Sequence, residues 1–427
     1  MVIFEQPAFL PVDSLVPLVE DPLVDASLQE RASETENVSA VVVNCAARPA
    51  RDWAQALVPY RRASAARGVF ELAITVLPFV ALWAAMLIAS RNGQVWLSLA
   101  LAPLAAGLLV RLFMIQHDCG HGSFLPSKAA NEWVGRGIGV VTMTPYDHWR
   151  RSHAIHHAAS GNLDRRGIGD IKTLTVSEFF ARNWRDRLRY RLYRHPLVMF
   201  GIGPAYLFLI ENRLPFGFMR KGAMPWVSTM TTNAGILLAA GLLIWSVGLA
   251  PFLVVELPMI VIAATAGVWL FYVQHQFDGT TWRAAVDWSQ PEAALHGSSH
   301  YDLPSALRWF SGNIGVHHVH HLSSGIPFYR LPEVLRNHPE LREVGRLTLW
   351  RSLACVRLAL WDEEKRRLLS FREARASQPF GAMNRPPPPL SIARVSGKAS
   401  TMHGGPERFV SVEFCKPIVV GRTHMKV

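Results

Sequence analysis

The sequence predicts an all-α, polytopic membrane protein, with four transmembrane helices in two hairpins and a helical cap at one end of the hairpins. Three observations support this fold class. Only 18% of the 427 residues are charged, whereas charged residues make up about a quarter of an average soluble domain. Apolar runs of membrane length with almost no charge occur four times. Arginines are concentrated in the segments that flank the apolar blocks.

The first apolar block predicts two spans, at residues 70–90 and 93–115. A helix needs about 20 apolar residues to cross the hydrocarbon core, and both runs reach that length. Only Arg91, Asn92 and Gly93 join the two runs. The two helices therefore form a hairpin, and both of its ends return to the same side of the membrane.

The second apolar block predicts spans at 227–248 and 252–274, joined by a turn at 248–251. Glu256 is the only charged residue between Lys221 and Asp278. A further apolar stretch at 196–210 is too short to span comfortably, and it predicts a re-entrant or interfacial segment.

The net charge of +12 allows two interpretations. Nucleic-acid binding is one of them, but the positive-inside rule explains the arginines better, because they lie before, between and after the hairpins. We therefore expect no nucleic-acid partner. We expect a multi-pass protein, with its active site on the cytoplasmic side, in a bacterial inner membrane.

The chain is predicted to have three parts. Residues 1–50 form an N-terminal extension that we expect to be poorly ordered. Residues 51–378 form the membrane domain. Residues 379–427 contain a run of four prolines among small polar residues, and this composition predicts a disordered tail.

Most of the 17 histidines fall into three clusters on the side to which the hairpins return. The clusters lie in HDCGH at 117–121, HAIHH at 153–157 and HHVHH at 317–321, and His275 ends the fourth span. Spacings of three and four residues place the imidazoles of each cluster on one face of a helix. His296 and His300 share such a spacing, but the Gly-Ser-Ser between them disfavours a helix there.

Neutral imidazole is the commonest protein ligand for iron, zinc and copper. One zinc ion takes three or four ligands, so eight or nine histidines predict a site for two metal ions. Ligands that are nearly all nitrogen leave such a pair with a high positive charge, able to bind dioxygen or hydroxide. A metal transporter or sensor would need a polar path through the spans. Glu256 is the only residue that we identify for such a path, so we rank this alternative last.

The three histidine boxes, together with QHQFD at 274–278, resemble those of the membrane-bound fatty acid desaturase family over residues 65–350. The downstream stretch GNIGVHHVHHLSSGIPFYRLPEVLRNHPEL is similar to the omega-6, or delta-12, acyl-lipid branch. The resemblance implies that the metal ligands are His117, His121, His153, His156, His157, His275, His317, His320 and His321.

The same resemblance implies an oxygen-dependent di-iron enzyme that introduces a cis double bond into a fatty acyl chain. Its cofactors would be two iron ions (Fe²⁺/Fe³⁺), with dioxygen as co-substrate. The long-chain substrate would be linked to lipid, CoA or a carrier protein. No His-Pro-Gly-Gly core of a fused cytochrome b5 is present, so we expect a separate electron donor such as ferredoxin or cytochrome b5. The alternative is a lipid or carotenoid hydroxylase or ketolase of the same superfamily.

Other polar residues are candidates for supporting roles. His148 and Asn313 are candidates for holding a ligand or a bridging water, and His318 is expected to point away from the site. Asp118, Asp164 and Asp170 are candidates for orienting imidazoles. The arginines of 182–194 would dock an acidic electron donor or, as we favour, contact anionic membrane lipid.

Overall fold

The computed structural model describes residues 48–167 and 169–377. The elements within them belong to one compact unit that begins at Pro49. Almost all of the predicted N-terminal extension and the whole of the predicted tail lie outside the described residues.

The described residues form sixteen α-helices. These are α1 (Ala50–Ala56), α2 (Ala65–Arg91), α3 (Val95–His121), α4 (Lys128–Val141), α5 (Tyr146–Ala159), α6 (Val176–Ala181), α7 (Trp184–Tyr193), α8 (Gly203–Leu209), α9 (Met224–Val247), α10 (Leu249–His275), α11 (Gln290–His296), α12 (Ser305–Phe310), α13 (His317–Leu322), α14 (Leu331–Asn337), α15 (Leu349–Ser352) and α16 (Phe371–Ala376).

Short 3-10 turns, one π-helix and five short strands complete the described elements. The 3-10 turns are Val58–Arg61, Glu211–Arg213, Ala285–Asp287, Phe328–Arg330, Pro339–Arg342 and Leu353–Arg357, and the π-helix is Val198–Ile202. The strands are β1 (Leu174–Thr175), β2 (His300–Asp302), β3 (Arg346–Thr348), β4 (Leu360–Asp362) and β5 (Arg367–Leu369). They form one sheet in the order β1-β4-β5, with β1 parallel and β5 antiparallel to β4, and a parallel pair β2-β3.

The prediction of an all-α membrane protein with four spans is confirmed. Helices α2, α3, α9 and α10 are the four that are long and apolar enough to cross a membrane among the described residues. They form two hairpins, as predicted. The second hairpin turns at Gly248, whose φ of 88° is a conformation that glycine adopts without steric cost. Helix α3 continues six residues beyond its predicted end at 115, so that His117 and His121 lie in its last two turns, and α10 ends at His275, one residue beyond its predicted end.

Helix α3 is the centre of the bundle, because it packs against α2 on one side and α10 on the other. Helix α9 stands apart from this group. Its buried residues all lie in its first half, where it packs on α4 and α5. The backbone amides of Asp147 and His148 in α5 donate to the hydroxyl of Ser228, at 3.2 and 3.3 Å. The first half of α9 therefore lies at the level of the cap.

The segment 196–210 lies beside α10 at membrane depth, which supports the re-entrant alternative. The hydroxyl of Thr265 donates to the carbonyl oxygen of Phe200 at 2.8 Å. The ring of Phe200 also contacts Trp269, at a centroid distance of 5.0 Å. Thr265 precedes His275 by ten residues, which is about 15 Å along the helix axis. The segment thus lies alongside the span α10, about 15 Å from the end that carries His275.

The spans contain a buried ion pair between two helices that the sequence interpretation overlooked. Glu71 and Arg111 are almost fully buried and pair with each other between α2 and α3. Arg111 also donates to the hydroxyl of Thr75 at 3.1 Å and to the carbonyl oxygen of Trp309, and it lies over the Trp309 ring. Glu256 is therefore not the only ionisable residue within the four helices, although this pair is satisfied internally and offers no polar path.

Candidate metal centre

Helix α3 brings the first two histidines to the site. His117 and His121 are one turn apart in its last two turns, and the helix ends at Gly122 with a φ of 69°. The carboxylate of Asp118 accepts from the backbone amide of Phe328 at 2.6 Å, and its other oxygen lies 3.2 Å from Nδ1 of His117. Asp118 therefore joins the end of α3 to the chain that follows α13.

Helix α5 brings His153, His156 and His157 and is anchored on α3. The hydroxyl of Tyr146, at the start of α5, donates to the carbonyl oxygen of Cys119 at 2.7 Å. Tyr146 packs against Gly135 of α4, where a Cβ atom would lie 2.3 Å from the Tyr146 ring. A side chain at position 135 would therefore displace the start of α5.

Helices α10 and α13 bring the remaining histidines. His275 is the last residue of α10, and His317, His320 and His321 lie on α13, all of them buried. The amide group of Gln290 donates to the carbonyl oxygen of His321 at 3.0 Å. Nε2 of His318 donates to the carbonyl oxygen of Leu341 at 2.9 Å, and burial lowers the pKa of His318 to about 3. His318 thus fixes the outer side of α13, pointing away from the other imidazoles as predicted.

The nine predicted ligands lie in two adjoining groups. One group holds His117, His121, His153, His157 and His320, and the other holds His156, His275, His317 and His321. Within each group the candidate ligand atoms lie within 4.8 Å of one another. The groups are neighbours, since the rings of His157 and His321 stack at a centroid distance of 4.1 Å.

The distances inside the groups fit metal coordination. Nε2 of His153 lies 3.0 Å from Nε2 of His117 and 3.1 Å from Nε2 of His121. Nε2 of His275 lies 3.1 Å from Nε2 of His156 and 3.0 Å from Nε2 of His317. Two ligand nitrogens at right angles on one ion, each about 2.1 Å from it, would be about 3.0 Å apart. Converging lone pairs at this spacing repel each other unless a cation lies between them.

The helix geometry explains how each HxxHH box serves both groups. Successive residues of an α-helix are rotated by about 100°. His153 and His157 are therefore about 40° apart on α5, whereas His156 is rotated by about 100° from His157 and belongs to the other group. The same geometry on α13 rotates His320 by about 60° from His317 and by about 100° from His321, so that His320 belongs to one group and the other two histidines to the other. The sequence interpretation assigned each box to one face and missed this division, although the spacing contains it.

Burial favours the neutral form of several of these imidazoles. It lowers the pKa of His153, His157 and His320 well below the ordinary value, and the neighbouring histidines lower it further. The same causes lower the pKa of His317 and His321. A neutral imidazole has a free lone pair for a metal, so the environment maintains the protonation state that ligation requires.

Acceptors on the outer ring nitrogens set the tautomers of two imidazoles in the four-histidine group. Nδ1 of His156 lies 2.6 Å from the carboxylate of Asp170, and Nδ1 of His275 lies 3.2 Å from the carbonyl oxygen of Gly297. A proton on each Nδ1 leaves the lone pair of Nε2 directed into the group.

The structure brings some of the supporting candidates to the site and not others. Asp118 and Asp170 both contact a clustered imidazole. Asp164 does not, because its carboxylate accepts from the backbone amide of Ala285 at 2.7 Å. His148 also lies away from the site, with its ring against Phe218 at 5.3 Å. The side chain of Asn313 donates to the carbonyl oxygen of Phe328 at 3.2 Å.

Two aromatic residues that the sequence interpretation did not single out border the histidine groups. The ring of Trp149 stacks on His153 at 4.6 Å, and the ring of Phe271 contacts His156 at 5.1 Å. Each lies one helical turn before a clustered histidine, Trp149 before His153 and Phe271 before His275. That spacing is the signal that could have identified them.

Fold and site together define a membrane protein with two adjoining groups of histidines, able in geometry to hold metal ions, at one end of its spans. Residues 94–352 match the family model described as fatty acid desaturase. The chain is 45% identical over 306 residues to the "Fatty acid desaturase" of Bacillus subtilis (strain 168), an alignment that covers 71% of this chain and 86% of that protein. The chain therefore belongs to the fatty acid desaturase family, whose members are oxidoreductases, and the resemblance of its histidine boxes is confirmed.

More distant relatives act on acyl lipids, according to their names. The "sn-1 acyl-lipid omega-3 desaturase (ferredoxin)" of Synechocystis sp. is 34% identical over 242 residues, covering 52% of this chain and 61% of that protein. The "sn-1 oleoyl-lipid 12-desaturase" of the same organism is 27% identical over 242 residues, covering 52% of this chain and 63% of that protein. This chain spans about three fifths of the length of these two relatives. They include both the omega-3 type and the 12-desaturase type.

Proposed function

We propose that this membrane desaturase uses two iron ions and dioxygen to introduce a cis double bond into a long fatty acyl chain. One observation carries the proposal: nine imidazoles from four helices converge in two adjoining groups of five and four. Single-metal chemistry does not call for so many ligands. The family membership supports an acyl chain as the substrate.

The two groups would each hold one iron ion through neutral imidazole nitrogens. When bound, the metal pair supplies the activation of dioxygen that removal of hydrogen from an unactivated methylene requires. The chain's own residues hold the ligand positions. Asp170 and the carbonyl oxygen of Gly297 fix the rings of His156 and His275, and Asp118 ties the end of α3 to Phe328. Trp149 and Phe271 cover the imidazoles with apolar surface and exclude water.

The proposed reaction needs a source of electrons. Removing two hydrogens from adjacent carbons while dioxygen is reduced to two waters consumes two further electrons and two protons. A separate donor protein, such as a ferredoxin or a cytochrome b5, would deliver them. The name of one Synechocystis relative includes ferredoxin, which supports the first of these donors.

We place the histidine groups on the cytoplasmic side of a bacterial inner membrane. The buried side chain of Arg194 donates to Gln276, the residue after His275, at 3.0 Å. The arginine-rich segment that ends at Arg194 is thereby attached to the histidine side, and the positive-inside rule assigns such segments to the cytoplasm.

Helix α7 favours lipid as the contact of that segment. Trp184, Leu188 and Leu192 are exposed at four-residue spacing, and arginines lie beside them. An apolar stripe flanked by arginines is typical of a helix that lies in the membrane interface and binds anionic headgroups. The acyl substrate would accordingly be drawn from membrane lipid.

Fatty-acid profiling of a heterologous host tests the proposed function. Cells that express the protein should contain unsaturated acyl chains that control cells lack, and cells that express His320→Ala at equal protein level should not. Loss of two hydrogens from the substrate, measured by mass spectrometry, identifies a desaturase. Gain of an oxygen atom would instead establish the hydroxylase or ketolase alternative, and identical profiles in the two strains would contradict the role of the histidine groups.

A further inference from the structure

A half-buried aromatic residue of the re-entrant segment reaches the membrane side of the five-histidine group. The ring of Phe208, in α8, contacts Phe113 of α3 at a centroid distance of 6.4 Å. The ring of Phe113 contacts Trp149 at 5.5 Å, and Trp149 contacts His117 at 5.7 Å as well as His153. These contacts form a continuous aromatic surface from α8 to the histidines.

This aromatic surface leads from the site toward the membrane interior. Phe113 precedes His117 by one helical turn of α3, on the side that enters the bilayer. Phe200, in the same re-entrant segment as Phe208, lies at the level of Thr265, about 15 Å along α10 from His275. Phe208 and Phe113 are both half-buried, whereas their neighbours Met114 and Pro204 are buried. They therefore border a space that is open to a ligand or to lipid.

The opposite face of the segment is suited to the bilayer. Leu197, Ile202, Tyr206 and Ile210 are all exposed. The π-helix keeps them on one face, because its wider turn accommodates the five-residue step from Leu197 to Ile202. Gly203 permits this turn, since a Cβ atom there would lie 2.7 Å from the carbonyl oxygen of Val198. One face of the segment is thus suited to contact lipid, and the other face borders the aromatic surface that leads to the histidines.

We propose that the re-entrant segment 196–210 forms the bilayer-side wall of the acyl-chain path, and that Phe208 is a specificity-determining residue. Its ring limits how much of the chain extends beyond the reacting carbons. This inference rests on the proposed function, because it assumes an acyl substrate at the histidine groups. An acyl chain is the occupant that fits, because the path is lined by aromatic rings and is continuous with the lipid-facing surface.

The described residues contain a competing apolar cavity of about 440 Å³, between α2, α3 and α12. Phe310 and Trp309 line it. Arg111 lies over the Trp309 ring and pairs with Glu71, so a buried ion pair stands next to this cavity. Among the described residues, the rings of Trp309 and Phe310 contact each other and not a clustered imidazole. The aromatic surface at Phe208 does reach His117 and His153 through Trp149, and we therefore assign the acyl chain to the path at Phe208.

Competition between chain lengths tests this assignment. A heterologous host that expresses the full-length protein is supplied with an equimolar mixture of saturated fatty acids of three lengths, and the unsaturated products of each length are quantified by mass spectrometry. Phe208→Ala should raise the ratio of longer to shorter products roughly tenfold, since a hydrophobic pocket discriminates single methylene groups by about that factor. Phe208→Trp should lower the ratio. Tyr206→Ala, on the lipid face of α8, should leave it unchanged.

The outcomes separate the inference from the proposed function. If the Phe208 variants give a lower total yield of unsaturated product but keep the wild-type length ratio, the ring has only a structural role and the inference is wrong. If Phe310→Ala changes the ratio and Phe208→Ala does not, the chain occupies the other cavity. If the wild-type protein yields no unsaturated product, the proposed function fails and the inference fails with it. A higher ratio of longer to shorter products for Phe208→Ala, together with a lower ratio for Phe208→Trp, would support the proposal that segment 196–210 forms the wall of the acyl-chain path.

Discussion

Asp170→Asn should lower the metal affinity of the four-histidine group and leave that of the five-histidine group unchanged. The carboxylate of Asp170 is buried and lies 2.6 Å from Nδ1 of His156, and His156 belongs to the four-histidine group. An asparagine keeps the size of the side chain but loses the charge that holds the Nδ1 proton. It can also present its NH₂ group to the ring, which favours the wrong tautomer.

The expected magnitude follows from the position of Asp170. Loss of a carboxylate that orients a ligating imidazole costs about 10- to 100-fold in metal affinity, which is about 1.4–2.7 kcal/mol. Only the group that contains His156 should show this loss. After dialysis against a chelator of graded strength, the variant should release about half of its metal at a free-metal concentration at which the wild type releases none.

Elemental analysis of the dialysed protein, together with the fatty-acid profile, provides the assay. Asp164→Asn is the matched control, because Asp164 lies six residues earlier and accepts from the amide of Ala285 instead of an imidazole. Equal metal loss in both variants, or loss of all metal from Asp170→Asn in one step, would refute the assignment of Asp170 to one group.

Two further predictions concern stability, measured as the thermal unfolding midpoint of the detergent-solubilised protein. Glu71→Leu should lower it more than Arg111→Leu, because Arg67 remains within 2.7 Å of Glu71 when Arg111 is lost. Loss of Glu71 leaves a buried guanidinium without its carboxylate, at a cost of about 3–5 kcal/mol, and the reverse order would contradict the buried pairing. His318→Phe should cost about 1–3 kcal/mol, because the carbonyl of Leu341 loses its donor, whereas His296→Ala, at an exposed position, should leave the midpoint unchanged.

The spans and the clustering of the nine histidines could be predicted from local patterns. The four apolar runs are long enough to cross a membrane, and the structure places a helix on each of them. The sequence spacing of the histidine boxes predicts their arrangement in space because the boxes lie within regular helices, α5 and α13. Sequence spacing therefore identified the histidines that come together.

Tertiary contacts decided what the local patterns left open. The stretch 196–210 was ambiguous because its depth depends on a hydroxyl of α10, Thr265, which is far away in sequence. The role of Asp164 was ambiguous for the same reason. Only the folded chain shows that the carboxylate of Asp164 accepts a hydrogen bond from the backbone amide of Ala285 and not from an imidazole. The Glu71–Arg111 pair was missed because each residue alone sits near the end of an apolar run, and the partner lies on another helix.

The metal content of three purified proteins tests the central claim most directly. The two histidine groups predict two iron ions per chain in the wild-type protein. They predict one in His121→Ala, which alters the five-histidine group, and one in His317→Ala, which alters the four-histidine group. A single ion in the wild type, or complete loss of metal in either variant, would contradict the division of these imidazoles into two sites.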